Sequence, residues 1–211
     1  MVFDLDGVLV DSERACYELA LRVARDVGED LPEPTYAQFV GVAPSEFWAW
    51  MRDRFALKET SEQLLDIKQR ELLEWYRAPV WMPGAISLVT ALTGAGVPCA
   101  VASSSPRSFI EAALSAGSLE ARLGVLVSGD DPDVDHPKPH PAIYLQACRK
   151  LRIEPARCVA IEDSLTGARA AQSAGLRVIV APNAWTRAES FPSEVERVES
   201  LEELTARAPN I

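Results

Sequence analysis

The chain has 211 residues, 48% of them hydrophobic, enough for one substantial core, or one core with a small satellite domain, and too many for disorder. A formal net charge of −10 without any Lys/Arg cluster excludes polyanion binding through a basic face, so no nucleic-acid partner is expected. The longest apolar run falls far short of the ~20 residues that span a bilayer, and the N-terminus has neither a basic stretch nor a signal-type apolar segment, so a cytoplasmic protein with no membrane partner is expected.

In chain order, the opening "MVFDL" reads as a short strand. Residues two apart in an extended segment point the same way, so Asp4 and Asp6 bring like charges together, which needs a reason. Residues 12–28 place Cys16, Leu19, Ala20, Val23 and Val27 on one helical face, with Ser12 as N-cap and Gly28 as stop. Further helices are expected near 34–40, 45–56 and 60–77, the last opening on Thr60 or Ser61 and carrying Leu64, Leu65, Lys68, Leu72 and Trp75 along one side.

From residue 80 the texture changes. "GVPCAVASSS" (96–105), "LGVLVSGD" (123–130), "RCVAIEDS" (157–164) and "LRVIVAPN" (176–183) are short continuous apolar runs ending in small or polar residues. Amphipathic stretches at 84–94, 106–116, 140–151 and 164–174 lie between them. Such alternation is what a parallel sheet covered by helices on both faces requires, so the fold class is α/β with a Rossmann-like parallel core. The helical block at 12–79 then reads as an all-helical insertion after the first strand, leaving 1–11 and 80–211 as the core domain.

Ligands of open parallel sheets bind beyond the carboxyl ends of the strands. The polar groups at those ends are Asp4 and Asp6, then Ser103 to Ser105, then Glu162 and Asp163, with Lys138 in the loop after the third run. Four carboxylates against one ammonium leave surplus negative charge in one crevice, costly unless a cation is bound or a proton retained. Oxygen ligands without Cys or His select a hard ion, Mg²⁺ first. In "SSSP" Pro106 suits the first helical position, which sets Ser105 near an N-cap and leaves hydroxyls and free backbone amides at a helix N-terminus as a seat for phosphate, with Ser103 and Ser104 as candidate binding residues. A cation, an anion seat, a lysine and paired carboxylates together point to phosphoryl transfer.

Four stretches, "FDLDGVLVDS", "VASSSP", Lys138 within "HPKPHPAIY", and "IEDSLTGARAAQSAG", resemble in order the four motifs of the haloacid dehalogenase-like hydrolases. "WMPGAISLVTALTGAG" likewise resembles the family's return from a helical cap. The resemblance implies that Asp4 is a nucleophile forming an aspartyl-phosphate, and that Asp6 protonates the leaving oxygen and then deprotonates water. It implies metal ligation by Asp4, the backbone carbonyl of Asp6 and Asp163, with Glu162 in or beside the ligand set. Ser103 and Lys138 would bind the transferring oxygens.

An acid at Asp6 sets the chain apart from true dehalogenases and phosphonatases, whose leaving groups need no such proton donor. The expected function is thus a Mg²⁺-dependent phosphatase, acting as a monomer on a small phosphate ester, with a sugar or polyol phosphate favoured. Two alternatives stand beside it. A β-phosphoglucomutase-like mutase is opposed by Cys16 where those mutases carry a histidine and by the absence of arginine from "GVAPSE" (41–46); a non-catalytic sensor need not retain both aspartates. Glu13 and Arg14, the cap residues nearest the first motif, are candidates for touching the leaving group, the alternative being solvated helix-surface charges.

Other features read structurally. The four cysteines are expected as reduced core thiols, Trp48, Trp50, Trp75 and Trp81 as packing for the helical insertion, His136 and His140 as loop residues, and "DDPDVD" (130–135) as a solvated acidic loop. Only Met1 to Phe3 precede Asp4, so the first strand is short or the numbering omits upstream residues.

Overall fold

Apolar runs with no polar alternation form strands where both faces are covered, and this chain buries them that way. A computed structural model describes residues 1–208 except Gly41 and Ala43, so the "GVAPSE" stretch lies partly outside the described residues. The elements in chain order are β1 (Val2–Phe3), α1 (Ser12–Asp26), α2 (Glu33–Tyr36), α3 (Pro44–Phe55), α4 (Ser61–Tyr76), α5 (Ala85–Gly94), β2 (Ala100–Ser103), α6 (Arg107–Ala116) and β3 (Val125–Ser128). They continue with α7 (Ala142–Leu151), β4 (Val159–Glu162), α8 (Leu165–Ser173), β5 (Arg177–Val180), β6 (Glu196–Arg197) and α9 (Leu201–Arg207).

The described strands form one six-stranded sheet in the order β3-β2-β1-β4-β5-β6, every pairing parallel. Two-residue β1 is held on both sides, Val2 opposite Ala100 and Ala160, Phe3 opposite Val101 and Ile161. Alternation then sorts the side chains. Phe3, Val101, Ile161 and Ile179 join one apolar cluster, while Val2, Ala100, Ala160 and Val178 join another with α7 and α8. The fold class read from the sequence is the one observed, and β6 and α9 add a C-terminal edge that the apolar pattern did not signal.

A third cluster, built on Leu19, Leu31, Phe47, Trp48, Met51 and Leu64, belongs to the helices between β1 and α5. The two connections to those helices run side by side, with the Asp11 amide donating to Val80 O (2.8 Å) and the Met82 amide to Leu9 O (2.9 Å).

Several local expectations are corrected. Asp11, not Ser12, is the N-cap of α1, because the Ser12 hydroxyl is spent on Asp6. Val27 lies outside the buried face at 48% exposure. Pro106 is the N-cap of α6 and not its first residue. Trp75 and Trp81 pack against the sheet's cluster, not that of the insertion, since α4 ends against α6. The acidic loop is not simply solvated. Asp131 is buried and paired with Arg107 (2.8 Å) and Lys150 (3.2 Å), and Asp130 accepts from the Arg107 amide (3.2 Å) at the start of α6.

Of the two caps expected for α4 the structure has Thr60, and adds a reciprocal bond: Thr60 Oγ1 accepts from the Gln63 amide (3.3 Å) while Gln63 Oε1 accepts from the Thr60 amide (2.8 Å). Thr60→Ala is expected to lower stability by about 1 kcal/mol. In a chain of this size that is a fall of roughly 2–4 °C in Tm, read by calorimetry.

Candidate active site

The strand order sets β1 between β2 and β4, so the segments leaving these three strands share one edge of the sheet. Asp4 is fixed there by its own amide, which donates to Ile161 O (3.0 Å). Gly7 has φ +76° and packs so closely on Asp163 and Asn183 that a Cβ would collide with both. The chain can therefore turn sharply after Asp6 only with glycine here.

Asp4, Glu162 and Asp163 each offer a carboxylate oxygen within 4.8 Å of the others. Lys138 enters among them, its ammonium 2.6 Å from Asp4 Oδ1 and 2.7 Å from Glu162 Oε1, with a third contact to Ala102 O at 3.3 Å. It is a buried partner in this cluster and not a solvated loop lysine, its side chain being 9% exposed. Glu162 is fully enclosed, accepting also from the Tyr144 hydroxyl. Gly167 of α8 lies against it so tightly that any Cβ would strike the carboxylate. Asp163 accepts from Asn183 Nδ2 at 2.8 Å.

One ammonium does not balance three buried carboxylates. Burial first, then the charges of Glu162 and Asp6 against the relief from Lys138, pushes Asp4 up to about 8. Burial and the neighbouring Glu162 and Asp4 likewise carry Asp163 well above the carboxylate range. Burial opposes the charge on Lys138, but Asp4 and Glu162 outweigh it and hold the ammonium well above the usual lysine range. An all-oxygen donor set with surplus negative charge fits a hard divalent cation, which would restore the ionised carboxylates.

Asp6 lies outside this cluster in different surroundings. Its Oδ1 accepts from Ser12 (2.7 Å) and from the Tyr76 hydroxyl, and its Oδ2 from Ser103 (3.0 Å) and Ser105 (2.7 Å). Ser103 Oγ in turn accepts from the Ser105 amide (3.0 Å). Ser104 is exposed and lines a hollow of about 200 Å³ with Gly129, His136 and Lys138, making no side-chain hydrogen bond among the described residues.

The two cap candidates part company. Glu13 accepts from the Tyr36 hydroxyl (2.5 Å); burial raises its pKa, with the tyrosine hydrogen bond opposing. Arg14 is exposed and paired with Glu18 at 3.0 Å along the same helix. Cys16 is a partly buried thiol that burial pushes up to about 12. Trp185 reaches over from the segment after β5 to pack on Tyr36 and Tyr17, at centroid distances of 5.5 and 5.8 Å.

Sequence reasoning missed Tyr76, Tyr144, Asn183 and the hydroxyl of Ser105 as members of the site. Tyr76 continues the stripe of Leu64 and Leu72 at four- and eight-residue spacing, a signal that it is buried but not of what its hydroxyl meets. Tyr144 follows Lys138 by six residues. Asn183 stands just past β5, at the same sheet edge as the other site residues, and this position was a usable clue.

A family model described as haloacid dehalogenase-like hydrolase matches residues 1–175. Hexitol phosphatase B of Escherichia coli strain K12 is 29% identical over 98% of this chain and 94% of its own length. The phosphorylated carbohydrates phosphatase of Thermotoga maritima is 30% identical over 85% of this chain and 82% of its own. Among solved structures, CbbY from Rhodobacter sphaeroides in complex with phosphate superposes with a TM-score of 0.79 at 28% identity, covering 96% of this chain and 94% of that one.

Electrostatics at Asp4 has a consequence for stability. Between its ordinary value near 3.8 and about 8 the folded chain keeps a proton that the unfolded chain has released, so folding is favoured at low pH and loses that advantage as pH rises through this window. With EDTA present, Tm is expected to fall as pH rises from about 5 towards about 8, and Asp4→Asn, which has no proton to lose, should flatten that slope.

Proposed function

The chain belongs to the haloacid dehalogenase-like hydrolases, in their phosphatase branch, and is by class a phosphoric monoester hydrolase; on that premise we propose that it hydrolyses a small sugar or polyol phosphate through an aspartyl-phosphate on Asp4, with Mg²⁺ bound. The observation that carries this reading is the contrast between two aspartates two residues apart. Asp4 sits in the carboxylate cluster against Lys138, and Asp6 outside it among hydroxyls. Two carboxyls in opposed environments are how one site supplies a nucleophile and an acid.

An Asp4 oxygen attacks phosphorus, the ester P–O bond breaks, and the departing oxygen takes the proton of Asp6. Water then attacks phosphorus and gives a proton to Asp6, the bond between Asp4 and phosphorus breaks, and inorganic phosphate leaves with both aspartates restored. Lys138 and Ser103 bind the transferring oxygens, and Lys138 offsets repulsion between Asp4 and the anionic substrate. Asp4, Asp163 and the Asp6 carbonyl would hold Mg²⁺, with Glu162 adjoining, and the ion supplies further neutralisation of phosphoryl charge.

The helices of 12–79 act as a cap domain on the core of 1–11 and 80–211, hinged at the paired connections beside Leu9 and Met82, and exclude water during transfer. Glu13, held by Tyr36, on which Trp185 packs, contacts the leaving group, and the carbohydrate and hexitol substrates named for the relatives favour a hydroxyl-rich one. Cys16, a thiol that stays protonated, supports a hydrolase over a mutase needing a proton-shuttling histidine.

Asp4→Asn is expected to abolish turnover of a hexitol phosphate and Asp6→Asn to slow it by ~10²–10⁴-fold. EDTA should remove activity and added Mg²⁺ restore it; full activity after exhaustive chelation would overturn the metal assignment. Glu13→Ala is expected to reorder a panel of sugar and polyol phosphates by kcat/KM. Arg14→Ala should leave the order unchanged, because its guanidinium is already committed to Glu18 in solvent.

A further inference from the structure

The two oxygens of Asp6 are served by different parts of the fold. Oδ2 meets Ser103 and Ser105, the core serines beside the proposed phosphoryl seat, whereas Oδ1 meets Ser12 at the start of α1 and Tyr76 at the last residue of α4. Tyr76 is 2% exposed, and its ring stacks on Phe109 of α6 at a centroid distance of 4.7 Å and 29° between planes. That stack fixes where the hydroxyl points. A phenylalanine would fill the same apolar slot, so packing alone does not call for an oxygen here.

We propose that Tyr76 is a positioning residue for catalysis: by holding Oδ1 of Asp6 it turns Oδ2 towards the seat, in line with the oxygen that must be protonated as the ester bond breaks. This inference rests on the reading of Asp6 as proton donor. While the first half of α4, with Leu64 and Leu65, packs within the helical insertion, its second half, with Leu72 and Tyr76, belongs to the sheet's cluster. The aim of the acid is thereby tied to the seating of the cap on the core.

Leaving groups separate this role from packing. A p-nitrophenolate departs without being protonated, whereas a sugar or alkyl alkoxide needs the acid's proton. With Tyr76→Phe, kcat/KM for an alkyl or hexitol phosphate is expected to fall ~10–100-fold while that for p-nitrophenyl phosphate falls only a few-fold, so that the ratio between them shifts at least about tenfold. Ser12→Ala, removing the other donor to Oδ1, should shift the ratio in the same direction by less. Thermal melts of each variant report any loss of fold separately from the ratio. Equal losses on both substrates, or none, would overturn the role of Tyr76. Asp6→Asn measured in parallel keeps the premise distinct: it should shift the ratio further than either, and an Asp6→Asn enzyme that keeps its alkyl-phosphate turnover overturns the assignment of the acid itself.

Discussion

Three carboxylates gathered within 4.8 Å around a single ammonium form the constraint on which the remainder of the site depends. Such a group is unstable alone, since each buried anion raises the cost of the next. The fold answers with placed partners: Lys138 between Asp4 and Glu162, the Tyr144 hydroxyl on Glu162, and Asn183 on Asp163. What this leaves uncompensated is negative charge aimed at one place, the property that a divalent cation or an incoming phosphoryl group held through a cation requires. Gly7 and Gly167 exist to let the backbone and α8 come close enough to build it.

Asp6 escapes that cluster by pointing to hydroxyls, and this separates the two aspartates chemically although they are neighbours in the chain. Hydroxyls serve an acid–base group well, because they donate to the ionised form and adapt when it gains a proton. Two of the donors, Ser12 and Tyr76, come from the helices inserted after β1, so the insertion supplies part of the surroundings of Asp6. On the other rim, Asn183 supports Asp163 while Trp185, two residues on, packs on Tyr36, which holds Glu13. The carboxylate cluster, through Asn183 and Trp185, and Asp6, through Ser12 and Tyr76, are thus each linked to the inserted helices.

The sequence by itself determined the alternation of apolar runs with amphipathic stretches, hence the α/β class, and it determined which polar residues follow which strands, because both are properties of neighbouring residues along the chain. Asp4, Asp6, Ser103, Glu162 and Asp163 were legible for that reason. Only the tertiary structure decided what each side chain meets. Glu13 and Arg14 are adjacent, yet a 100° step around α1 turns one towards Tyr36 and leaves the other with Glu18 in solvent. Ser104 and Ser105 divide in the same way at the end of β2, and Ser105 alone reaches Asp6. Tyr76 is 70 residues from the carboxylate it serves, and no local periodicity encodes a partner at that distance. Trp75 went to the sheet's cluster because α4 spans two apolar clusters, a fact of packing between elements that no window along one element contains.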